Sequence, residues 1–155
     1  MQKVGFPLRL AAALIDALIA YFAGVAILFA SYAAGVPQNV YDLMFWSWVL
    51  LYSFTEVPWT ATPGKRILGI SIRDFDGTGI CRWRRFSRWM AKWSPIIFSL
   101  LLDVTGWLPF NLLGGFLSAV ILVGCVAILN DDKRAWHDEW AGTAVFRKRK
   151  LKAAL

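Results

Sequence analysis

Arg9 and Asp16 have the side-chain chemistry of a binding or ion-conducting site. They delimit the stretch "RLAAALID" at the start of a long apolar segment, and the next charged residue is Asp42. A carboxylate inside a membrane segment often marks a proton or ion pathway. It can equally accept hydrogen bonds from a neighbouring segment and hold the helices together. The sequence leaves both interpretations of Asp16 open.

Helical spacing places Arg9 and Asp16 on one face, because seven residues rotate an α-helix by about 700°. That face also carries small residues such as Ala20 and Gly24, where another helix can approach closely. Helical side chains lean toward the N-terminus, so Arg9 leans away from Asp16. Each is therefore expected to find its partner on another segment, and the block "HDEWAGT" at 137–143 is the candidate partner for Arg9.

Further ionisable residues occur in two places. Glu56 ends the second apolar segment, where it is either an interfacial residue or a partner of Arg9 or Arg66. Four acids and the only histidine follow the last apolar segment: Asp131, Asp132, His137, Asp138 and Glu139. One histidine beside carboxylates lacks the ligand spacing of a metal site, so this cluster predicts a salt-bridged cap. His137 is also a candidate pH sensor, because the ordinary histidine pKa is about 6.5.

The composition predicts an integral membrane protein. The 155 residues are 58% hydrophobic and 17% charged, whereas soluble domains contain about 25% charged residues. The net charge of +7 is compatible with nucleic-acid binding, but the basic residues alternate with apolar segments and form no single surface. The first apolar run, of about 25 residues, exceeds the roughly 7–15 of a signal peptide, which predicts a retained span. Nothing in the sequence indicates a metal, a cofactor or a catalytic set.

Four membrane spans are expected, at 8–34, 41–57, 86–104 and 107–129. All 17 Lys and Arg residues fall in 1–9, 60–93 and 131–155, and the two remaining connections contain none. Basic loops remain in the cytoplasm, so this distribution places both termini on the cytoplasmic side. In the alternative, residues 82–93 lie flat on the membrane surface and the chain has three spans.

Two polar segments, 60–85 and 131–150, predict a small cytoplasmic cap that contains β-structure. A strand in "RILGISIRD", a turn at "DGTG" and a return strand near Ile80–Trp83 suggest a β-hairpin, and "GTAVF" suggests a third strand. The expected fold is therefore membrane all-α with a β-hairpin or three-stranded cap, all in one domain over 1–155. Eight basic side chains are expected to contact anionic lipid headgroups: Arg82, Arg85, Arg88, Lys92, Arg147, Lys148, Arg149 and Lys150.

Three blocks carry a family resemblance: "RLAAALID" at 9–16, "TPGKRILGISIRDFDGTG" at 62–79 and "HDEWAGTAVF" at 137–146. In this order they resemble the RDD family of small bacterial membrane proteins, which is named for one arginine and two aspartates. These fall on Arg9, on Asp16 and on Asp138, with Asp131 as the fallback for the last. The resemblance implies a bacterial inner membrane and a role in transport, since some members are linked to sodium/proton exchange. The chain departs from the usual pattern in its many tryptophans and in the additional "EVPWTA" before "TPGK".

Two functional hypotheses follow. In the first, the chain is a monovalent-cation/proton exchanger that works as a homo-oligomer. Asp16 then binds the cation or proton, and Arg9 and Asp138 form a gate at the cytoplasmic end. In the second, the chain is a non-catalytic scaffold or an accessory subunit of a membrane complex, with an unknown membrane-protein partner, and the same three residues form a structural polar network. Neither hypothesis makes the chain an enzyme.

Overall fold

The computed structural model describes residues 2–129 and 133–147, and within these residues the chain forms seven α-helices and three short strands. In chain order the elements are β1 (Gln2–Lys3), α1 (Phe6–Ala33), α2 (Tyr41–Phe54), α3 (Glu56–Trp59), α4 (Pro63–Ile67), β2 (Ile70–Asp74), α5 (Arg82–Thr105), α6 (Pro109–Val126), α7 (Trp136–Trp140) and β3 (Thr143–Arg147). The predicted predominance of helix is therefore confirmed.

Helix α1 has the character of a membrane span. Pro7 lies in its first turn, where the missing N–H would have no helical partner in any case. Gly35, with a φ of +73°, follows its C-terminal end. The most apolar window of α1 has a mean hydropathy of 2.2, and 17% of it is buried within the protein. In the described part of the chain, α1 is the one helix that is both long and apolar enough to cross a membrane, so four spans are not confirmed.

Each of the other three predicted spans coincides with a helix. Helix α2 ends at Phe54, earlier than predicted, and Glu56 begins the separate short helix α3. Helix α5 includes the whole basic, tryptophan-rich stretch as well as the apolar one that follows it. Helix α6 contains a shorter apolar stretch, Leu112–Cys125. Helix α5 lies against α6, α2, α3 and α7, so its basic N-terminal half contacts protein.

The three strands form an antiparallel sheet in the order β1-β3-β2. Strand β3 is central, and Val145 is paired with Ile72 of β2. Both strands expected in "RILGISIRD" and "GTAVF" are confirmed, as is the three-stranded cap. The β-hairpin is wrong, because α5 begins at Arg82 and leaves too few residues after the turn for a return strand. Strand β2 pairs instead with the distant β3.

A small hydrophobic core attaches this sheet to the beginning of α1. Its buried members are Val4, Ala12, Ile70, Ile72 and Val145. Because Ala12 lies on α1 between Arg9 and Asp16, the contact fixes both charged residues at the junction of the helix and the cap. The core therefore positions the residues that the sequence singles out.

We expect Ile72→Ala to lower the free energy of unfolding by about 2–5 kcal/mol, because it leaves a cavity in this core. Ile72 is 0% exposed, whereas Ile67 is 66% exposed. The matched Ile67→Ala change should therefore alter stability by less than about 0.5 kcal/mol. Thermal or denaturant unfolding of the purified protein in detergent measures both changes. Equal effects of the two variants would contradict the proposed core.

Candidate functional site

Asp16 accepts three hydrogen bonds from groups outside α1. The Tyr52 hydroxyl donates to one carboxylate oxygen at 2.7 Å, and the Gly64 amide donates to the same oxygen at 2.7 Å. The Thr62 hydroxyl donates to the other oxygen at 2.5 Å. These donors come from α2 and from the start of α4, so the expectation that Asp16 finds its partners on other segments is confirmed. The carboxylate joins three parts of the chain.

The "TPGK" motif is explained by the close approach of α4 to α1. A Cβ atom at Gly64 would lie 2.6 Å from the carbonyl oxygen of Ala12 and 2.8 Å from the Cγ atom of Asp16. Real Cβ atoms do not make such contacts, so the position requires glycine. Pro63 lies in the first turn of α4, where proline favours the start of a helix. Together the two residues bring a backbone amide against the Asp16 carboxylate.

Arg9 pairs with Asp138, the partner that the sequence proposed. Its Nη1 atom lies 2.5 Å from an Asp138 carboxylate oxygen. Its Nη2 donates to the carbonyl of Lys133 at 2.6 Å, and its Nε donates to the carbonyl of Val4 at 3.1 Å. Asp138 is fully buried. One guanidinium therefore joins α1 to β1 and to the segment that begins α7.

Arg88 extends this ion pair into a chain of charges. Its Nε donates to Asp138 at 2.6 Å, and its Nη1 donates to Glu56. Glu56 in turn pairs with the ammonium of Lys65. The order of charges is Arg9, Asp138, Arg88, Glu56 and Lys65, and we call these five residues the charge network. It connects α1, α3, α4, α5 and α7.

Two predicted roles are corrected by this geometry. Glu56 is buried and pairs with Arg88 and Lys65, and not with Arg9 or Arg66. Arg88, expected to contact lipid headgroups, is 3% exposed. Arg85, also buried, donates to the carbonyl of Pro58 at 3.1 Å. The lipid-contact prediction is wrong for both arginines because α5 turns this face toward α3 and α7.

The spacing of these residues could have signalled their burial. Positions 85, 88 and 92 are separated by three and four residues, so they share one face of a helix. That face also carries the buried Trp89, whose indole N–H donates to Ser53 at 2.9 Å. Arg82 and Arg147 are exposed, so their contact with lipid stays a prediction. The predictions for Lys148, Arg149, Lys150 and Asp131 lie outside the described residues.

The electrostatics of His137 and Asp138 follow from their burial beside two arginines. Burial and the nearby Arg88 lower the pKa of His137 to about 3, so the folded protein holds it neutral near pH 7. This corrects its proposed role as a sensor near its ordinary pKa. Burial alone would raise the pKa of Asp138, but Arg88 and Arg9 outweigh it and hold that pKa well below its usual range. Asp138 is therefore a permanent carboxylate.

A cavity of about 610 Å³ lies between α1, α2 and α5. Charged and titratable side chains line one part of it, which we call the charged end: Arg9, Asp16, Lys65, Lys92 and His137. Apolar side chains such as Leu10, Phe45 and Trp46 line the remainder. Within residues 2–129 and 133–147, no group of three or more His, Cys, Asp and Glu side chains is arranged to hold a metal ion.

The charged end carries more positive than negative charge among the described residues. The lining side chains and their bonded partners include four cations and three carboxylates. The cations are Arg9, Lys65, Arg88 and Lys92, and the carboxylates are Asp16, Glu56 and Asp138. Burial lowers the pKa of Lys65 to about 8, against the attraction of Asp138 and Asp16. The Lys65 ammonium is paired with the Glu56 carboxylate, so its charge counts in this balance.

We expect Gly64→Ala to destabilise the protein by about 1–3 kcal/mol, the usual cost of overpacking. The added methyl must displace either the α1 backbone or Asp16. Gly79→Ala is the matched control, because a Cβ atom there meets no heavy atom within 4 Å. Thermal unfolding in detergent compares the two variants. The close approach of α4 to Asp16 would be refuted by a Gly64→Ala protein as stable as the control.

We expect stability to fall as the pH falls from about 6.5 to about 3, because His137 takes up a proton in the unfolded chain but not in the folded one. The wild type should lose about 1–2 kcal/mol between pH 6.5 and about pH 5. His137→Gln cannot take up this proton and should lose distinctly less over the same interval. Asp138 affects stability only as the pH falls below its unfolded pKa of 3.8. Parallel pH curves for the two proteins would contradict a buried, neutral His137.

One of three comparisons with known proteins finds a match, and it spans the residues that form this site. A family model described as the RDD family matches residues 4–142, a range that includes Arg9, Asp16 and Asp138. No curated protein and no solved structure matches the chain. The family is membrane-associated, in agreement with the length and apolar character of α1. The match covers most of the sequence, and the chain therefore belongs to the RDD family.

Proposed function

We propose that the chain is a non-catalytic membrane scaffold or accessory subunit. The observation that supports this role is the saturation of its carboxylates by fixed partners. Asp16 receives three hydrogen bonds, Asp138 pairs with two guanidinium groups, and Glu56 pairs with an ammonium and a guanidinium. Partners on four helices, α1, α2, α4 and α5, hold these groups, so the acids connect segments and offer no vacant oxygen.

The proposed arrangement in the membrane has four spans, α1, α2, α5 and α6, and both termini in the cytoplasm of a bacterium. The charge network and the sheet lie together at one end of α1. The basic segments that connect the spans also meet at this end, which agrees with the tendency of basic loops to remain in the cytoplasm. This end would therefore present the three-stranded cap to a partner protein at the inner membrane surface.

The charge balance disfavours a cation site at Asp16. An added monovalent cation would join four cationic side chains and only three carboxylates at the charged end, where charges interact strongly because water is scarce. The three donors already held by Asp16 would also have to rotate or withdraw. Both considerations support a structural role for Asp16 over cation exchange.

Cation/proton exchange is the second candidate, and one observation favours it. Asp16 borders the cavity with the hydroxyl oxygens of Tyr52 and Thr62. Oxygen atoms of this kind are the ligands that hard cations prefer. In this alternative, a homo-oligomer would provide the transport path that a single small chain does not.

The two candidates are separated by measuring stability and flux on the same variants. Asp138→Asn should lower stability by about 3–5 kcal/mol, because it leaves buried cationic partners without their carboxylate. Asp16→Asn should also destabilise, because an amide nitrogen cannot accept the hydrogen bond that its carboxylate oxygen accepted. Glu139→Gln is the control, since Glu139 is the exposed neighbour of Asp138. Thermal unfolding is measured in detergent.

Proton flux is measured in sealed vesicles that contain a pH-sensitive dye and an imposed sodium or potassium gradient. The scaffold proposal expects wild-type vesicles to match protein-free vesicles. Cation-driven proton flux that is present in the wild type and in Glu139→Gln, but lost in a stably folded Asp16→Asn, would overturn the scaffold proposal and establish exchange.

A further inference from the structure

The cavity has the length of one lipid leaflet. Along α1 its lining residues extend from Phe6 to Tyr21, and these fifteen residue steps correspond to about 22 Å of helix rise. Half of a typical bilayer, with the headgroup region included, is about 20–22 Å thick. The cavity therefore begins at the charged end, beside the cap, and reaches approximately to the middle of the bilayer.

The wall of the cavity is suited to a hydrocarbon chain. Its surface between Leu10 and Tyr21 consists mainly of apolar side chains, with Ala13 and Ala17 on one side and Phe45 and Trp46 on the other. Ala13 and Ala17 are exposed in the structure. The small alanines on α1 leave space that larger side chains would fill. A volume of about 610 Å³ lies in the usual range of ligand pockets, about 300–1,000 Å³.

The charged end of the cavity is suited to one negative charge. Arg9 and Lys65 are paired with carboxylates of the charge network. Lys92 lines the cavity, and in the part of the chain that the structure describes, no carboxylate lies within 4.0 Å of its ammonium. Its nearest aromatic contact is the Trp93 ring, 5.2 Å from Nζ. A partly buried ammonium without a counter-ion favours an anion beside it.

We propose that this cavity binds an anionic phospholipid of the leaflet on the capped side. One acyl chain lies along the alanines of α1 and the aromatic wall of α2. The headgroup phosphate lies at the charged end and balances the charge of Lys92. The single negative charge of the lipid neutralises the excess of four cations over three carboxylates. Lys92 is one of the eight basic residues expected to contact headgroups, but here the contact lies inside the cavity and not at the surface, where Arg82 and Arg147 are exposed.

A lipid accounts for both parts of the cavity, whereas a helix from a second copy accounts for one. An apolar helix would fill the hydrocarbon part but would leave the ammonium of Lys92 uncompensated. A free phosphate ion would neutralise Lys92 but would leave the apolar part empty. The proposal takes from the preceding section only the orientation of the helices and does not depend on the scaffold role.

The test uses the full chain in detergent and native mass spectrometry with two probes, dioleoyl phosphatidylglycerol and dioleoyl phosphatidylcholine. The wild type should retain one phosphatidylglycerol per chain and bind it at least about fivefold more tightly than phosphatidylcholine, the preference that one basic side chain confers. Lys92→Gln should reduce this preference to less than about twofold. Arg84→Gln is the control for lost charge, because Arg84 is an exposed basic residue of the same helix and is not among those expected to contact headgroups.

A second variant tests the hydrocarbon part independently of charge. Ala17→Phe fills the cavity and should weaken the binding of both lipids, while circular dichroism verifies that the variant is folded. Three results would overturn the proposal: equal binding of the two lipids by the wild type, equal losses of preference in Lys92→Gln and Arg84→Gln, or a lipid-free dimer that Ala17→Phe dissociates. Retention of inorganic phosphate without lipid would also contradict it. None of these results bears on the stability and flux tests of the scaffold proposal.

Discussion

The carboxylate of Asp138 is the group on which the arrangement of helices depends. It is fully buried and pairs with Arg9 from α1 and Arg88 from α5. A buried charge is strongly destabilising unless its partners are in place, so both helices must approach α7. Two ion pairs to one carboxylate therefore constrain the positions of the first and third long helices relative to the cap.

The short helix α4 connects the charge network to the hydrogen bonds around Asp16. The Gly64 amide donates to Asp16, and the next residue, Lys65, pairs with Glu56. A single turn of helix thus serves both the carboxylate inside α1 and the acid at the start of α3. The missing side chain of Gly64 allows this turn to reach α1. The "TPGK" block is for this reason a packing motif as well as a source of polar groups.

Residue identities predicted the site better than they predicted the secondary structure around it. The direction of helical side chains placed the partner of Arg9 outside α1, and the "HD" pair was the correct candidate. The return strand of the hairpin was wrong, because α5 begins immediately after the turn and a strand from the other end of the chain pairs with β2. Arg88 was assigned to lipid because its basic, aromatic surroundings resemble an interfacial helix.

The sequence by itself determined the helical character, the apolar length of α1, the strands β2 and β3, the turn after β2, and the family blocks that contain Arg9, Asp16 and Asp138. These features depend on local periodicity, on glycine and proline positions and on spacing along one helix. The tertiary structure alone decided which side of α5 is buried, that Arg88 bridges two acids, and that a cavity lies between α1, α2 and α5. These features depend on contacts between residues that are distant in the sequence, for example Arg88 with Glu56. A short-range sequence pattern contains no information about which distant side chain pairs with a buried charge.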